Sequence, residues 1–134
     1  MVDTDVVAAA ALAEPVAGEE AARLLRSNWD LSAPAHWKAE FANVVWKAVQ
    51  FGRIGADGVE VIINRADSLH IDSVDVADLW RGAVTRAISA GHPAYDTLFV
   101  ELAIRLGTRL ASFDVRLQRK FPSIVKSPGV LLRA

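Results

Sequence analysis

The sequence predicts an α/β fold: a three-layer sandwich in which helices cover both faces of a central parallel sheet. Short apolar runs of strand length alternate with longer segments whose apolar residues recur at helical spacing. Glycine or proline stands at several boundaries between these segments. The chain has 134 residues, 52% of them apolar, which is enough for one core and too few for two. We therefore expect a single domain over residues 1–134.

The predicted strands and helices alternate along the chain. Residues 1–3 are the end of a short buried strand, and further strands are predicted at residues 31–34, 68–74, 109–113 and 123–126. Helices are predicted at residues 6–13, 19–26, 35–51, 59–65 and 94–106, with one more between a cap at Asp75 and a stop at Gly91. Right-handed crossovers place the C-terminal ends of all strands at one edge of the sheet, where such folds bind ligands.

The composition excludes several classes of protein. The chain has no cysteine, which removes disulfides, thiolate metal sites and cysteine nucleophiles. Its longest apolar run, residues 6–13, is too short to span a bilayer. That run follows Asp3 and Asp5 without a positively charged segment, unlike a signal peptide. These features fit a cytoplasmic protein that has no membrane partner.

The net charge is near zero, but the charges are unevenly distributed. Residues 1–30 hold six acids and two arginines, whereas residues 101–134 hold seven bases and two acids. A basic segment beside an acidic site suits a phosphate-bearing substrate that is bridged by a cation. Ordinary solvated helix faces give the same distribution, so charge alone leaves both interpretations open.

Four acidic residues stand at the edges of predicted elements. Asp3 and Asp114 end strands, and Glu40 and Asp96 lie in the first turns of helices that follow a proline. Each acid taken alone could be a helix cap or a residue favoured by the helix dipole. Together they would repel one another at the sheet edge, and a divalent cation removes that cost. Oxygen-only ligands favour Mg²⁺ or Mn²⁺.

Four local motifs follow one another over nearly the whole chain: VDTDVV at residues 2–7, AEFANVVW at 39–46, AYDTLFV at 94–100 and LASFDVRL at 110–117. The first has an aspartate after a short strand, and the second a glutamate followed by an apolar-Ala-Asn stretch. The third has an aspartate at a helix start, and the fourth a serine two residues before an aspartate. In kind and order these motifs resemble those of PIN-domain ribonucleases. In length the chain is most similar to the VapC-like toxins of bacterial toxin–antitoxin modules.

The resemblance implies a Rossmann-like PIN fold and a Mg²⁺- or Mn²⁺-dependent endoribonuclease, the toxin of such a module. It implies an RNA substrate, a homodimer and a cognate antitoxin that blocks the acidic cleft. The implied catalytic residues are Asp3, Glu40, Asp96 and Asp114, of which Asp3, Asp96 and Asp114 would be the metal ligands.

Other residues are expected to support this site. Thr4 and Ser112 could hydrogen-bond the metal ligands, although each could instead cap a turn. Arg116 and Arg119, in the basic C-terminal segment, are the candidate contacts to the RNA backbone.

Two alternative functions fit parts of the same sequence. A PIN-fold module could bind RNA without cutting it, although the presence of all four acids disfavours this. A haloacid-dehalogenase-like phosphohydrolase would use Asp3 as its nucleophile and Asp5 as its acid/base partner, but a later adjacent acidic pair is missing. Asp5 also departs from the PIN pattern, which has asparagine or serine at this position.

Histidine and tryptophan offer weaker evidence. His36, His70 and His92 share no ligand spacing and are predicted to be surface or turn residues; only His92, four residues before Asp96, could approach a substrate. The four tryptophans are predicted to be core or interface residues rather than platforms for base stacking: Trp29, Trp37, Trp46 and Trp80.

Overall fold

The computed structural model describes residues 1–134 and confirms the predicted α/β class. Eight helices are present: α1 Thr4–Ala11, α2 Ala17–Leu25, α3 Trp37–Gln50, α4 Val59–Asp67, α5 Trp80–Ala90, α6 Ala94–Arg105, α7 Val115–Lys120 and α8 Pro128–Arg133. Four short strands alternate with them: β1 Ser32–Pro34, β2 Asp72–Val74, β3 Leu110–Ala111 and β4 Val125–Lys126.

The strands form two parallel pairs, which are joined by the opening segment of the chain, residues 1–3. β1 pairs with β2, and β3 pairs with β4. Val2 lies between the pairs: it bridges Ala111 in parallel, and its N–H donates to the carbonyl oxygen of Ser32 at 3.1 Å. In a parallel ladder the return bond to Val2 would come from Pro34, which has no N–H. The opening segment is therefore the centre of the sheet, with an incomplete ladder on its β1 side.

Helices bury the sheet from the sides that the apolar sequence pattern indicates. α1 packs against α2, α3 and α4, and six of its eight residues are buried. α6 contacts both β1 and β3, so it crosses the middle of the sheet. Its Phe99 and Val100 are fully buried, as are Leu110 and Leu117 from the C-terminal part of the chain. The first and last segments thus share one core.

Strand lengths and some boundaries differ from the sequence predictions. The strand predicted at residues 68–74 is confined to β2, because α4 continues to Asp67 and a turn with His70 at φ 50° follows. The segment after Asp75 opens as a 3₁₀ turn, Val76–Asp78, before α5 begins. The first helix begins at Thr4 rather than at residue 6, because the Asp3 side chain accepts from the Thr4 N–H. α8 was not predicted.

α5 and α6 are held together by a buried acid. The carboxylate of Glu101 forms salt bridges with Arg86 of α5 and with Arg105 of α6. A Cβ at Gly82 would clash with that carboxylate, which would have to move within its salt bridges to make room. The Thr97 hydroxyl also donates to the carbonyl oxygen of Ala83 at 2.7 Å. These contacts fix the orientation of α6 and so of the acid at its N-terminus.

The turn between α1 and α2 combines strain with close packing. Val16 has φ 60° and ψ −65°, in a three-residue turn closed by the Ala17 N–H and the Pro15 carbonyl. A β-branched residue rarely adopts a positive φ. Two residues later, a Cβ at Gly18 would lie 2.8 Å from the carbonyl oxygen of Ala9. The glycine therefore allows α2 to approach α1.

Two apolar surfaces remain exposed. One is a groove of about 450 Å³ between α3 and α4, lined by side chains that include Trp37, Trp46 and Ile63. The other is a stripe on α5 formed by Trp80, Val84 and Ile88. Of the tryptophans, Trp37 is buried, while Trp29, Trp46 and Trp80 are about half exposed. No helix has both the length and the apolar character needed to cross a membrane.

Candidate metal centre

Asp3 lies buried within an acidic cluster that consists of Asp3, Asp5, Glu40, Asp96 and Asp114. It follows the central segment of the sheet, and only 8% of its surface is exposed. Its Oδ1 accepts from the Thr4 N–H at 2.7 Å, and its Oδ2 accepts from the Ser112 hydroxyl at 2.7 Å. Its own N–H donates to Ala111. These bonds fix Asp3, near the start of the sequence, to Ala111 and Ser112 in its last quarter.

Ser112 ties three acidic positions together. Its Oγ donates to Asp3 and lies 3.3 Å from Oδ2 of Asp5, while it accepts from the Asp114 N–H at 3.1 Å. Oδ2 of Asp5 also accepts from the Phe113 N–H at 3.0 Å. Asp5, a residue of α1, is therefore bonded to the loop after β3. Its other oxygen, Oδ1, is buried without a hydrogen-bond partner.

Asp114 caps α7 and faces the cluster. Its Oδ1 accepts from the N–H groups of Arg116 and Leu117 at 2.9 and 3.1 Å. Its Oδ2 makes no hydrogen bond within the protein, which leaves one oxygen available to a ligand. Capping and ligation thus use different oxygens, so the two interpretations of this residue are compatible.

Glu40 and Asp96 reach the cluster from the first turns of α3 and α6. Oε1 of Glu40 accepts from the Thr4 hydroxyl at 2.8 Å, and it lies 3.6 Å from Nε2 of His36. Oδ2 of Asp96 lies 2.7 Å from Nε2 of His92. Thr4 therefore contacts Asp3 through its N–H and Glu40 through its hydroxyl, and Ser112 contacts both Asp3 and Asp114.

His92 lies in the connection between α5 and α6, as a turn residue would, but it is buried and the prediction of a surface position is wrong. Its side chain is only 2% exposed, and one of its nitrogens lies within 4.8 Å of carboxylate oxygens of both Asp96 and Asp114. The sequence placed His92 four residues before Asp96 but gave no distance to Asp114. The spacing of residues on a helix could not reveal this contact, because His92 precedes α6.

Burial and mutual repulsion raise the pKa of three of these carboxyl groups. For Asp3 the main cause is burial, followed by the charges of Asp5, Asp96 and Glu40, and its pKa is well above the ordinary range. Burial also raises the pKa of Asp5 to about 7, with the charge of Asp114 adding to it, despite the hydrogen bonds from Phe113 and Ser112.

Glu40 belongs to the same electrostatic group. Burial raises its pKa and Asp96 adds to the rise, while the Thr4 hydroxyl and His36 oppose it. No lysine or arginine forms a salt bridge with any carboxylate of the cluster; the basic partners lie elsewhere, on Glu14 and Glu101. The cluster thus contains repelling acids without a permanent positive charge.

This donor set fits a divalent cation. Carboxylate oxygens of Asp96 and Asp114 lie within 4.8 Å of each other, one buried oxygen of Asp5 has no partner, and a cation would relieve the repulsion that raises the pKa values. Oxygen ligands suit Mg²⁺ or Mn²⁺, and no thiolate is present to favour a softer metal. The predicted RNA contacts, Arg116 and Arg119, are exposed on α7, which begins directly after Asp114.

Comparison with known proteins agrees with this fold. Residues 1–121 match the PIN domain family, and the chain belongs to that family. This membership sets aside the dehalogenase-like alternative. The chain is also similar to Ribonuclease VapC3 of Pyrobaculum aerophilum, with 27% identity over 129 residues, 93% of this chain and 96% of the relative.

Proposed function

We propose that the protein is a divalent-metal-dependent endoribonuclease, the toxin of a toxin–antitoxin pair, folded as a single domain over residues 1–134. The observation that carries the proposal is a group of acidic side chains without a lysine or arginine partner, in which carboxylate oxygens of Asp96 and Asp114 lie within 4.8 Å of each other, in a chain of the PIN family. The relative named Ribonuclease VapC3 supports the same activity. We expect the protein to act in the cytoplasm.

The carboxylates divide the chemical work between them. Asp3, Asp96 and Asp114 hold the cation, which we expect to be Mg²⁺ or Mn²⁺. When bound, the cation supplies a Lewis acid that offsets negative charge on the reacting phosphate. Glu40, held by the Thr4 hydroxyl and with a raised pKa, is suited to orient the attacking water and accept its proton.

The surroundings of the cluster serve substrate and partners. Arg116 and Arg119 follow Asp114 on the exposed side of α7 and would contact RNA phosphates. Exposed apolar surfaces of the size of the α3–α4 groove and the α5 stripe are typical of protein interfaces. They support a homodimer and a bound antitoxin as the partners of this protein.

The direct test is cleavage of total RNA by the pure protein, with and without Mn²⁺, followed by mapping of the cut ends. Asp3→Asn removes one charge from the buried cluster while keeping the side chain's size. We expect it to reduce cleavage by at least about a hundredfold, because a lost ligand weakens charge stabilisation by several kcal/mol. Asp57→Asn, at an exposed acid in a 3₁₀ turn outside the cluster, is the matched control and should cut normally.

Two outcomes would contradict the proposal. Binding of RNA without any metal-dependent cut would identify a binding module rather than a nuclease. Equal cleavage by Asp3→Asn and the parent protein would remove the acidic cluster from the reaction.

A further inference from the structure

We infer that His92 is a positioning residue of the proposed metal centre: it fixes the carboxylate of Asp96 so that one defined oxygen faces the cation. The inference rests on the proposed function only in that it assumes a cation at the cluster. It concerns a residue outside the four acids selected from the sequence.

The contact between His92 and Asp96 has a defined donor and acceptor. Nε2 of His92 lies 2.7 Å from Oδ2 of Asp96, and the imidazole is 2% exposed. An ionised carboxylate can only accept, so Nε2 carries the hydrogen. Nδ1 is buried without a partner, so it offers no competing contact that would turn the ring. The bond occupies Oδ2 and leaves Oδ1 of Asp96 for a cation.

The backbone around His92 is held by three neighbouring elements. The backbone N–H of His92 donates to the carbonyl oxygen of Ala87 in the last turn of α5, at 3.1 Å. The preceding residue, Gly91, accepts through its carbonyl from Lys120 at the end of α7. The following residue, Pro93, is the N-cap of α6 and restricts the backbone there. His92 therefore transmits the relative placement of α5, α6 and α7 to the Asp96 carboxylate.

Positioning of Asp96 and ligation of a metal ion cannot use the same nitrogen of His92. Nε2 donates its hydrogen to the carboxylate at 2.7 Å and has no lone pair left for a metal ion, so direct ligation would have to use Nδ1. Without the imidazole, the Asp96 carboxylate, 28% exposed, could rotate and present either oxygen. Hydrogen-bond partners that orient metal ligands are typically worth about 10–100-fold in metal affinity.

The test is a calorimetric titration, in which Mn²⁺ is added to the metal-free full-length protein and its affinity is measured. His92→Leu removes the donor while it keeps a side chain of similar size, and we expect Mn²⁺ to bind about 10–100-fold more weakly. His92→Gln keeps an N–H donor and should restore most of the affinity, which a purely structural role would not require. His70→Asn, at an exposed histidine with φ 50°, is the control and should bind Mn²⁺ as the parent does.

A second measurement does not depend on a variant that folds. Pulsed electron paramagnetic resonance of the parent protein with Mn²⁺ detects nitrogen bonded directly to the ion. We expect no hyperfine coupling as strong as that of a nitrogen bonded directly to Mn²⁺. Such a coupling would overturn the positioning role in favour of direct ligation, and so would unchanged Mn²⁺ affinity in a folded His92→Leu protein.

These outcomes are separable from those of the proposed function. A parent protein that binds Mn²⁺ and loses affinity in His92→Leu, but cuts no RNA, supports the positioning role and contradicts the nuclease. If the parent cuts RNA with Mn²⁺ and the His92→Leu protein binds Mn²⁺ with equal affinity, the nuclease is supported and the positioning role is contradicted.

Discussion

The acids of the cluster are held in the folded protein at an electrostatic cost that pH should reveal. In the folded state the pKa values of Asp3, Asp5 and Glu40 are raised, so the folded form binds protons more tightly than the unfolded chain. The stabilisation from this proton binding is complete below the ordinary carboxyl pKa of about 4. It is lost as pH rises through the folded-state values, which for Asp5 is about 7.

We therefore expect the melting temperature of the metal-free protein to fall between about pH 5 and pH 8. Glu101 does not oppose this trend: burial alone would raise its pKa, but its bonds with Arg86 and Arg105 lower it, so it is ionised throughout the range. Thermal unfolding in a chelating buffer measures the effect. Asp5→Asn should flatten the fall; a melting temperature that rises with pH in the parent would contradict the assigned shifts.

The acids could be located from the sequence, whereas their neighbour His92 could not. Asp3 and Asp114 were found because parallel strands bring their C-terminal ends to one edge, and this holds for any chain of that topology. The burial of His92 depends on how α5, α6 and α7 pack around residue 91, which no local pattern records. Likewise, the sequence marked Asp5 as unusual but not its bond to Phe113.

At the scale of elements, α7 joins the candidate centre to the basic C-terminal segment. Arg116→Gln with Arg119→Gln should weaken RNA binding and flatten its salt dependence, by roughly 0.7 in the logarithmic slope per lost contact with a single strand. The test is to measure RNA binding over a range of salt concentrations, with parent and double variant both in a cleavage-deficient form. The double variant at Arg23 and Arg26, exposed on α2, is the control, since no cluster carboxylate lies on that helix. An unchanged slope would make the α7 arginines ordinary solvated residues.

The α1–α2 turn offers a test of backbone strain. Val16 is 72% exposed at φ 60°, so Val16→Gly removes strain of about 1–3 kcal/mol against a glycine entropy cost of about 0.5–1 kcal/mol. We expect a net gain of about 1 kcal/mol in the free energy of unfolding, measured by denaturant titration. Gly18→Ala should instead destabilise the protein, because the new Cβ would meet the Ala9 carbonyl. A destabilised Val16→Gly protein would show that the turn is relaxed.

Helix positions were more predictable than strand lengths. An apolar stripe of period 3.6 determines which face of α3 or α6 is buried, and that pattern is present in the sequence. A strand ends where its hydrogen-bond partner ends, and partners here lie far away: β3 is limited to two residues by β4 and the opening segment. The apolar run at residues 109–113 could not specify those limits.

At the scale of the whole molecule, a cation should stabilise the fold. Mn²⁺ at a hundredfold excess over its Kd contributes about 2.7 kcal/mol, which raises the melting temperature by roughly 5–15 °C for a domain of this size. Asp114→Asn should lose most of this response and yet remain folded, because asparagine also caps a helix N-terminus. Asp57→Asn should respond as the parent does. A full Mn²⁺ response in Asp114→Asn would mean that Asp114 is only a cap.

The placement of the opening segment at the centre of the sheet has a consequence for the time at which activity can arise during synthesis. Val2 bridges Ala111, and the Ser112 hydroxyl holds Asp3, so the cluster requires residues from both ends of the chain. Such long-range pairing forms late in folding. A nascent chain still attached to the ribosome, with residues 110–126 in the exit tunnel, has no assembled cluster.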